Sequence, residues 1–345
     1  MWGEKIMWRR IVCIACGAVI LNQRCPPPST STRVGKAKGR ARPAMASFFK
    51  FPRFRTVAAV TTAPVAVLGA QLWYLRFKFK LPPDACGPTA GVVAAPAGAS
   101  SSSRQRNIIF LGDSIVTGVG CSREASERDG PVLPVRVASI LAKQLGASVS
   151  WKCVGETGTD VRMLQTRMLP KLRDEVQRVD GAGQRVDAVV VMTGLNDIKE
   201  CFLFAQPSLH PWFFGRALAS LLTEVCEIAG AGCACIVPGH PIEVTPRFNQ
   251  FWPMSWVVPA IVRMWEDQKR VAAETAQAQE DTTIASSTAR CLIEYLQPPP
   301  HMVAMMWGQD YFASDGMHPN DNGYALWADV IAARLLVEWG AKAEK

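Results

Sequence analysis

Four short stretches hold the residue types from which a nucleophilic active site is built. In NIIFLGDSIVTGVG, residues 107–120, an apolar run stops at Gly112, Asp113 and Ser114. A serine hydroxyl is a weak nucleophile until a base takes its proton. In ASDGMHPNDNGYALWADV, Asp315 and His318 lie three residues apart. That spacing lets the carboxylate hold the imidazole in one tautomer while the other ring nitrogen faces a hydroxyl. Acyl chemistry also needs donors for the oxyanion that develops on the carbonyl. VVVMTGLND supplies Gly194, Asn196 and Asp197, and one side-chain amide aimed at an oxyanion is worth roughly 10²- to 10³-fold in rate. VGETGTD supplies Gly158, with Gly155 three residues earlier. The missing Cβ of a glycine lets a backbone N–H approach a ligand closely.

Each fragment also has a plainer reading. Asp113 and Ser114 are good helix caps, as are Asp321 and Asn322 ahead of the last helix. Gly, Asn and Asp are ordinary turn residues. The elements that carry the fragments decide between the readings. Ile108 to Leu111 is a continuous apolar run of the length of a buried strand. Downstream, LPVRVASILAKQLG repeats apolar residues at helical spacing and ends on Gly146. SVSWKCV reads as a strand, and DVRMLQTRMLPKLRDEVQRV as a helix interrupted at Pro170. VDAVVVMTG is the clearest buried strand, RALASLLTEVCEIAG a helix closed by Gly230, and CACIVPG a fourth strand. VVPAIVRMWEDQKRVAAETAQAQ is a long helix, ARCLIEYL a fifth strand and GYALWADVIAARLLVEWGA a final helix. Alternating strands and helices predict an α/β fold with one doubly wound parallel sheet. The loops at the carboxyl ends of such strands line the ligand crevice, and the candidate residues fall on those loops.

In this order the motifs resemble those of the SGNH (GDSL-type) hydrolases. Gly112, Asp113 and Ser114 match the first block, Gly158 the second, Gly194, Asn196 and Asp197 the third, and Asp315 with His318 the last. The resemblance covers about residues 106–340 and implies a three-layer αβα, flavodoxin-like fold with a five-stranded parallel sheet. It also implies hydrolysis of carboxylic esters or thioesters with no metal and no cofactor. On this reading Ser114 is the nucleophile, His318 the base and Asp315 its orienting carboxylate. Ser114, Gly158 and Asn196 form the oxyanion hole, Asp113 supports the loop and Asp197 orients Asn196. The small residues after Ser114 would leave room for substrate. Transfer of the acyl group to an alcohol, and a tethered binding module without turnover, are the rival classes. The stretch RFNQFWPMSWVVPAIVRMWE concentrates Phe248, Phe251, Trp252, Met254, Trp256, Met264 and Trp265, a candidate acyl pocket or lid.

Charge narrows the partners. The 345 residues carry a net charge of +9, which invites a nucleic-acid reading until it is located along the chain. Residues 1–80 hold 15 Lys and Arg against the single acid Glu4, leaving 23 basic and 28 acidic residues for the rest. A nucleic-acid enzyme would carry its basic face on the folded domain, so no nucleic-acid partner is expected, and a small-molecule or lipid ester is. Eleven cysteines show no repeated metal-knuckle spacing, and Cys13 and Cys16 sit inside an apolar run. Four scattered histidines without an HxH or HxxxH pair offer no metal site.

The N-terminal third predicts a separate organisation. Residues 1–55 are basic and nearly free of acids, as targeting or cytoplasmic segments are, and Met45 is an alternative start. Residues 56–75, TVAAVTTAPVAVLGAQLWYL, are uncharged and have the length of a spanning helix, with Trp73 and Tyr74 placed like an interfacial belt. The expectation is a single-pass membrane protein, the alternative a soluble one after cleavage of a targeting peptide. Residues 76–105, rich in Pro, Gly, Ala and Ser, read as a linker, and the hydrolase domain as 106–345.

Overall fold

The structure, a computed structural model, describes residues 63, 64, 66–74, 77, 80–98, 104–203, 210–283 and 290–343. The chain divides into two units, Met1–Leu75 and Arg76–Lys345. The basic segment 1–55, with Met45 and the Cys13/Cys16 pair, lies outside the described residues.

In the first unit the described residues 63, 64 and 66–74 are helical. Among the described residues no helix is long and apolar enough to cross a membrane. This corrects the expected single-pass anchor over 56–75. A spanning helix needs about 20 consecutive, predominantly apolar residues. Pro64 and the threonines at 56, 61 and 62 also lower the hydropathy of the stretch.

The second unit is built on a six-stranded sheet: β1 (Ala90–Val93), β2 (Arg106–Gly112), β3 (Val149–Gly155), β4 (Ala188–Met192), β5 (Ala234–Pro238) and β6 (Leu292–Leu296). Their spatial order is β1-β3-β2-β4-β5-β6. The five strands expected from the sequence are all present and all parallel. The sixth, β1, comes from the stretch read as linker and pairs antiparallel with β3 at the sheet edge. Its sequence AGVV is too short and too small to announce itself; pairing with an existing strand makes it one.

Six longer helices cover the sheet: α1 (Val132–Leu145), α2 (Leu169–Gly181), α3 (Leu195–Leu203), α4 (Pro211–Ala229), α5 (Met254–Thr283) and α6 (Asp321–Ala343). The continuous apolar runs of β2 and β4 follow from burial on both faces. Ile109, Leu111, Val189 and Val191 join the core beneath α2, α4 and α5. Ile108, Phe110, Ala188, Val190 and Met192 point the other way, into the core beneath α1 and α6. The expected three layers are therefore present. A disulfide between Cys226 and Cys291 ties α4 to the start of β6. The interruption at Pro170 takes the form of a π-turn, Leu164–Met168, just before α2. Proline has no N–H for the ladder, and the wider turn absorbs the missing bond.

Candidate active site

The parallel strand order reverses at β2, which has β3 on one side and β4 on the other. Such a switch point opens a crevice at the carboxyl ends of the strands. Gly112 of β2 is level with Gly155 of β3 and with Met192 of β4, so three loops leave the sheet at one height. Gly112 is required there: a Cβ would lie 2.3 Å from the Met192 carbonyl oxygen. Asp113 then caps a single helical turn, Ser114–Thr117, by accepting the Ile115 N–H at 3.1 Å. The cap and the candidate serine are thus consecutive residues, and both plain and chemical readings of Asp113 and Ser114 describe the same turn.

His318 arrives from the loop between β6 and α6. That loop closes on itself through the Ala313 N–H donating to the His318 carbonyl at 2.8 Å. Asn320, not Asp321 or Asn322, caps α6, accepting the N–H groups of Asn322 and Gly323 at 3.0 and 3.1 Å. Asp321 instead accepts the Ser122 N–H at 2.9 Å, and the Tyr324 hydroxyl donates to the Val119 carbonyl at 2.7 Å. These bonds hold the histidine loop against the chain that follows Ser114. Gly120, at φ +95°, allows the approach, since a Cβ there would lie 2.4 Å from the Pro319 carbonyl oxygen. The small residues after Ser114 therefore seat the histidine loop, where the sequence suggested room for substrate.

The result is a linear chain of three side chains, all buried. Ser114 Oγ is 3.0 Å from His318 Nε2, and His318 Nδ1 is 2.6 Å from Asp315 Oδ2. Asp315 Oδ1 accepts the N–H groups of Met317 and His318 at 2.9 and 3.0 Å. Burial raises the Asp315 pKa, but the His318 hydrogen bond and charge and these two N–H groups outweigh it, leaving the carboxyl below its ordinary value. An ionised Asp315 accepts only, so Nδ1 carries the imidazole proton and Nε2 presents its lone pair to the serine.

The remaining candidate residues come from the next two loops. Gly158 sits at φ +89° with open space where a Cβ would be. Gly155 faces Gly112 and Val116 instead, with 2.8 Å from its would-be Cβ to the Gly112 carbonyl oxygen. Packing separates the two glycines that the sequence left equivalent. Among the described residues, the N–H groups of Ser114 and Gly158 donate to no protein acceptor, as expected for the first residue of a helical turn. Asn196 is also buried, but its Nδ2 donates to Asp113 Oδ2 at 3.2 Å and to the Thr159 carbonyl at 3.0 Å, while its Oδ1 accepts from Lys199 Nζ at 3.0 Å. Asp113 is thereby bound to the third loop as well as to its own turn. Burial raises its pKa against the Ile115 N–H, the His318 and Lys269 charges and the Asn196 bond.

Asp197 makes no side-chain hydrogen bond to Asn196. Its Oδ1 accepts the Val161 N–H at 3.1 Å, joining the loop after β4 to the one after β3, and its Oδ2 has no hydrogen-bond partner among the described residues. Burial, with Asp160 and Asp113 adding their charges, pushes its pKa up to about 7 against the Val161 bond. Gly194 adopts φ +123°, and Lys269 packs over it, with Cε 2.8 Å from a would-be Cβ.

Lys269 is the residue that sequence reasoning missed. It lies on α5, fully buried, with Nζ 2.8 Å from Glu266 Oε1 and 2.7 Å from His240 Nδ1. Since the ammonium donates, His240 Nδ1 accepts and the ring proton sits on Nε2. Burial and the Lys269 charge hold the His240 pKa well below its ordinary value. In sequence, Glu266 and Lys269 look like a surface ion pair one helical turn apart; only the fold on top of α5 reveals otherwise. Among the described residues no group of three or more His, Cys, Asp or Glu could hold a metal ion.

Comparison with known proteins follows the same outline. The GDSL-like lipase/acylhydrolase family matches residues 110–326, and no curated protein sequence matches the chain. Among solved structures, an acetylxylan esterase from Geobacillus stearothermophilus is similar at 18% identity and a TM-score of 0.42, covering 67% of this chain and 94% of its own. A lipase/acylhydrolase from Enterococcus faecalis is similar at 17% identity and a TM-score of 0.43, covering 67% and 95%. An α/β hydrolase from the metagenome of Lake Arreo, Spain, has 17% identity and a TM-score of 0.43, covering 67% and 94%. With the match spanning well over half of its length, this chain belongs to the GDSL-like lipase/acylhydrolase family and is an SGNH-type carboxylic ester hydrolase.

Proposed function

We propose that the protein cleaves its ester through an acyl-enzyme on Ser114. His318 Nε2 takes the hydroxyl proton as Oγ attacks the ester carbonyl, and Asp315 stabilises the imidazolium through Nδ1. The oxyanion is received by the N–H groups of Ser114 and Gly158 and by Nδ2 of Asn196. Collapse of the intermediate expels the alcohol, which takes the proton back from His318. Water then enters by the same route and releases the acid. The single observation that carries this reading is the buried chain Ser114 Oγ, His318 Nε2, His318 Nδ1, Asp315 Oδ2, with separations of 3.0 and 2.6 Å.

Asn196 needs one rearrangement. Both of its N–H donors already have protein acceptors, so binding an oxyanion exchanges one of those bonds. Asp113 is the acceptor nearer the nucleophile, and the exchange is between two oxygens of like charge.

Acyl specificity falls to the rim. Phe251, Trp252, Trp256 and Met264 are exposed, whereas Met254 and Trp265 are core residues. The Arg247 N–H donates to the Gly316 carbonyl at 2.9 Å, which sets the chain leading to those aromatics beside the Asp315–His318 loop. An apolar acyl group lying along that wall is the arrangement proposed. The test is labelling of the full-length protein by a fluorophosphonate probe, with turnover of p-nitrophenyl esters from acetate to palmitate. Labelling and turnover are expected in wild type and absent from Ser114→Ala at unchanged thermal stability; equal labelling of the two proteins overturns the nucleophile.

A further inference from the structure

Residues 84–93 precede the region matched by the family, which begins at residue 110, yet they reach the active-site loops. The Ala85 N–H donates to the Thr117 carbonyl at 3.1 Å, on the turn that carries Ser114. Gly87 packs so closely against Ser126 that a Cβ would lie 1.9 Å from its carbonyl oxygen. The Cys153 N–H donates to the Thr89 carbonyl at 2.8 Å, and β1 then continues along β3. The segment is a strap that runs from the nucleophile's turn to the strand whose loop bears Gly158.

At the head of the strap stands Asp84. Its Oδ1 accepts from the Thr117 hydroxyl at 2.9 Å and also from the Thr157 hydroxyl. The two hydroxyl oxygens are 2.7 Å apart, and Thr117 Oγ1 is 3.3 Å from the Ser114 carbonyl. Thr157 is the residue before Gly158. One carboxylate oxygen therefore joins the end of the Ser114 turn to the start of the Gly158 turn.

We infer that Asp84 is a positioning residue for the oxyanion hole, clamping Thr117 to Thr157 so that the N–H groups of Ser114 and Gly158 converge on one oxygen. The inference rests on the acyl-enzyme reading above. The two N–H donors come from loops on different strands, and each must lie about 2.7–3.1 Å from the position a developing oxyanion takes. Without the carboxylate the two turns are joined at this point only by one hydroxyl pair. Misplacement by about 1 Å costs on the order of 100-fold in rate, and a loosened clamp moves the loops by less.

The experiment uses the full-length chain. Asp84→Ala is expected to lower kcat for p-nitrophenyl acetate about tenfold, with KM within about twofold and the fluorophosphonate labelling rate reduced in parallel. Asp84→Asn keeps an oxygen acceptor and is expected to restore most of kcat. Thr157→Val should reproduce the loss, and its combination with Asp84→Ala should add little, because both break one clamp. Wild-type kcat and labelling in Asp84→Ala overturn the inference, as does a loss confined to thermal stability. An Asp84→Asn variant as slow as Asp84→Ala also overturns it. If wild type and Ser114→Ala label alike, the acyl-enzyme reading itself falls; if only Asp84→Ala behaves as wild type, the clamp alone falls.

Discussion

Asn196 Nδ2 lies 3.2 Å from Asp113 Oδ2, so the third loop's candidate oxyanion donor is bonded to the residue beside Ser114. The bond places the amide at the crevice, and in the proposed mechanism it is exchanged when an oxyanion forms. Asn196→Ala is expected to lower kcat by roughly 10²- to 10³-fold with little change in KM. Asn196→Asp should be at least as slow, since it sets a second carboxylate against Asp113. Steady-state turnover of p-nitrophenyl acetate measures both, and a normal kcat in the alanine variant removes Asn196 from the hole.

Asp197 gives a pH dependence whose sign is set by burial. Its carboxyl releases a proton near 3.8 in the unfolded chain and at about 7 in the fold. Between those values the folded state holds the extra proton, so stability falls as pH rises through the window and the full penalty is present above about 7. The penalty is on the order of 4 kcal/mol at most. Asp197→Asn keeps an oxygen for the Val161 N–H and has no carboxyl to ionise. Its stability relative to wild type should therefore rise from pH 4.5 to pH 8 in urea unfolding. A difference independent of pH contradicts this account of Asp197.

Gly120→Ala tests the seat of the histidine loop. The added methyl would meet the Pro319 carbonyl oxygen at 2.4 Å in a backbone conformation, φ +95°, that alanine disfavours. The conformational cost alone is roughly 1–2 kcal/mol, and relief of the clash moves His318 away from Ser114. The expected outcome is a fall in kcat of at least about tenfold beyond the loss of stability. Thermal unfolding with parallel kinetics separates the two effects; unaltered kcat in the folded variant shows that the loop is seated by other contacts.

Lys269→Met removes the buried partner of an ion pair and leaves Glu266 with the Tyr295 hydroxyl, which donates to Glu266 Oε2 at 2.9 Å. Breaking such a pair costs about 3–5 kcal/mol. Adding Glu266→Gln should recover part of that loss, because the stranded charge is then gone. Denaturant unfolding of the single and double variants is the measurement, and a single variant as stable as wild type disproves the buried pairing.

Local pattern determined a large share of this protein. Strands β2 and β4 are legible because burial on both faces demands unbroken apolar runs. The helices are legible from their 3.6-residue period and terminal glycines such as Gly146 and Gly230. Ser114, Asn196, Asp315 and His318 are legible as candidates because turn residues of types that could carry chemistry fall, in order, at the ends of the strands. Tertiary structure decided what depends on atoms distant in sequence. Gly158 differs from Gly155 by its left-handed backbone and by what lies opposite each of them. The strand Ala90–Val93 exists through its pairing with β3, and Lys269 becomes a buried ion through the packing of α5 over Gly194. Asp84 meets Thr117 and Thr157 across 33 and 73 residues of sequence. Periodicity and turn chemistry are written within about a dozen neighbouring residues, whereas burial and hydrogen-bond partnership come into being only when separate segments are brought together.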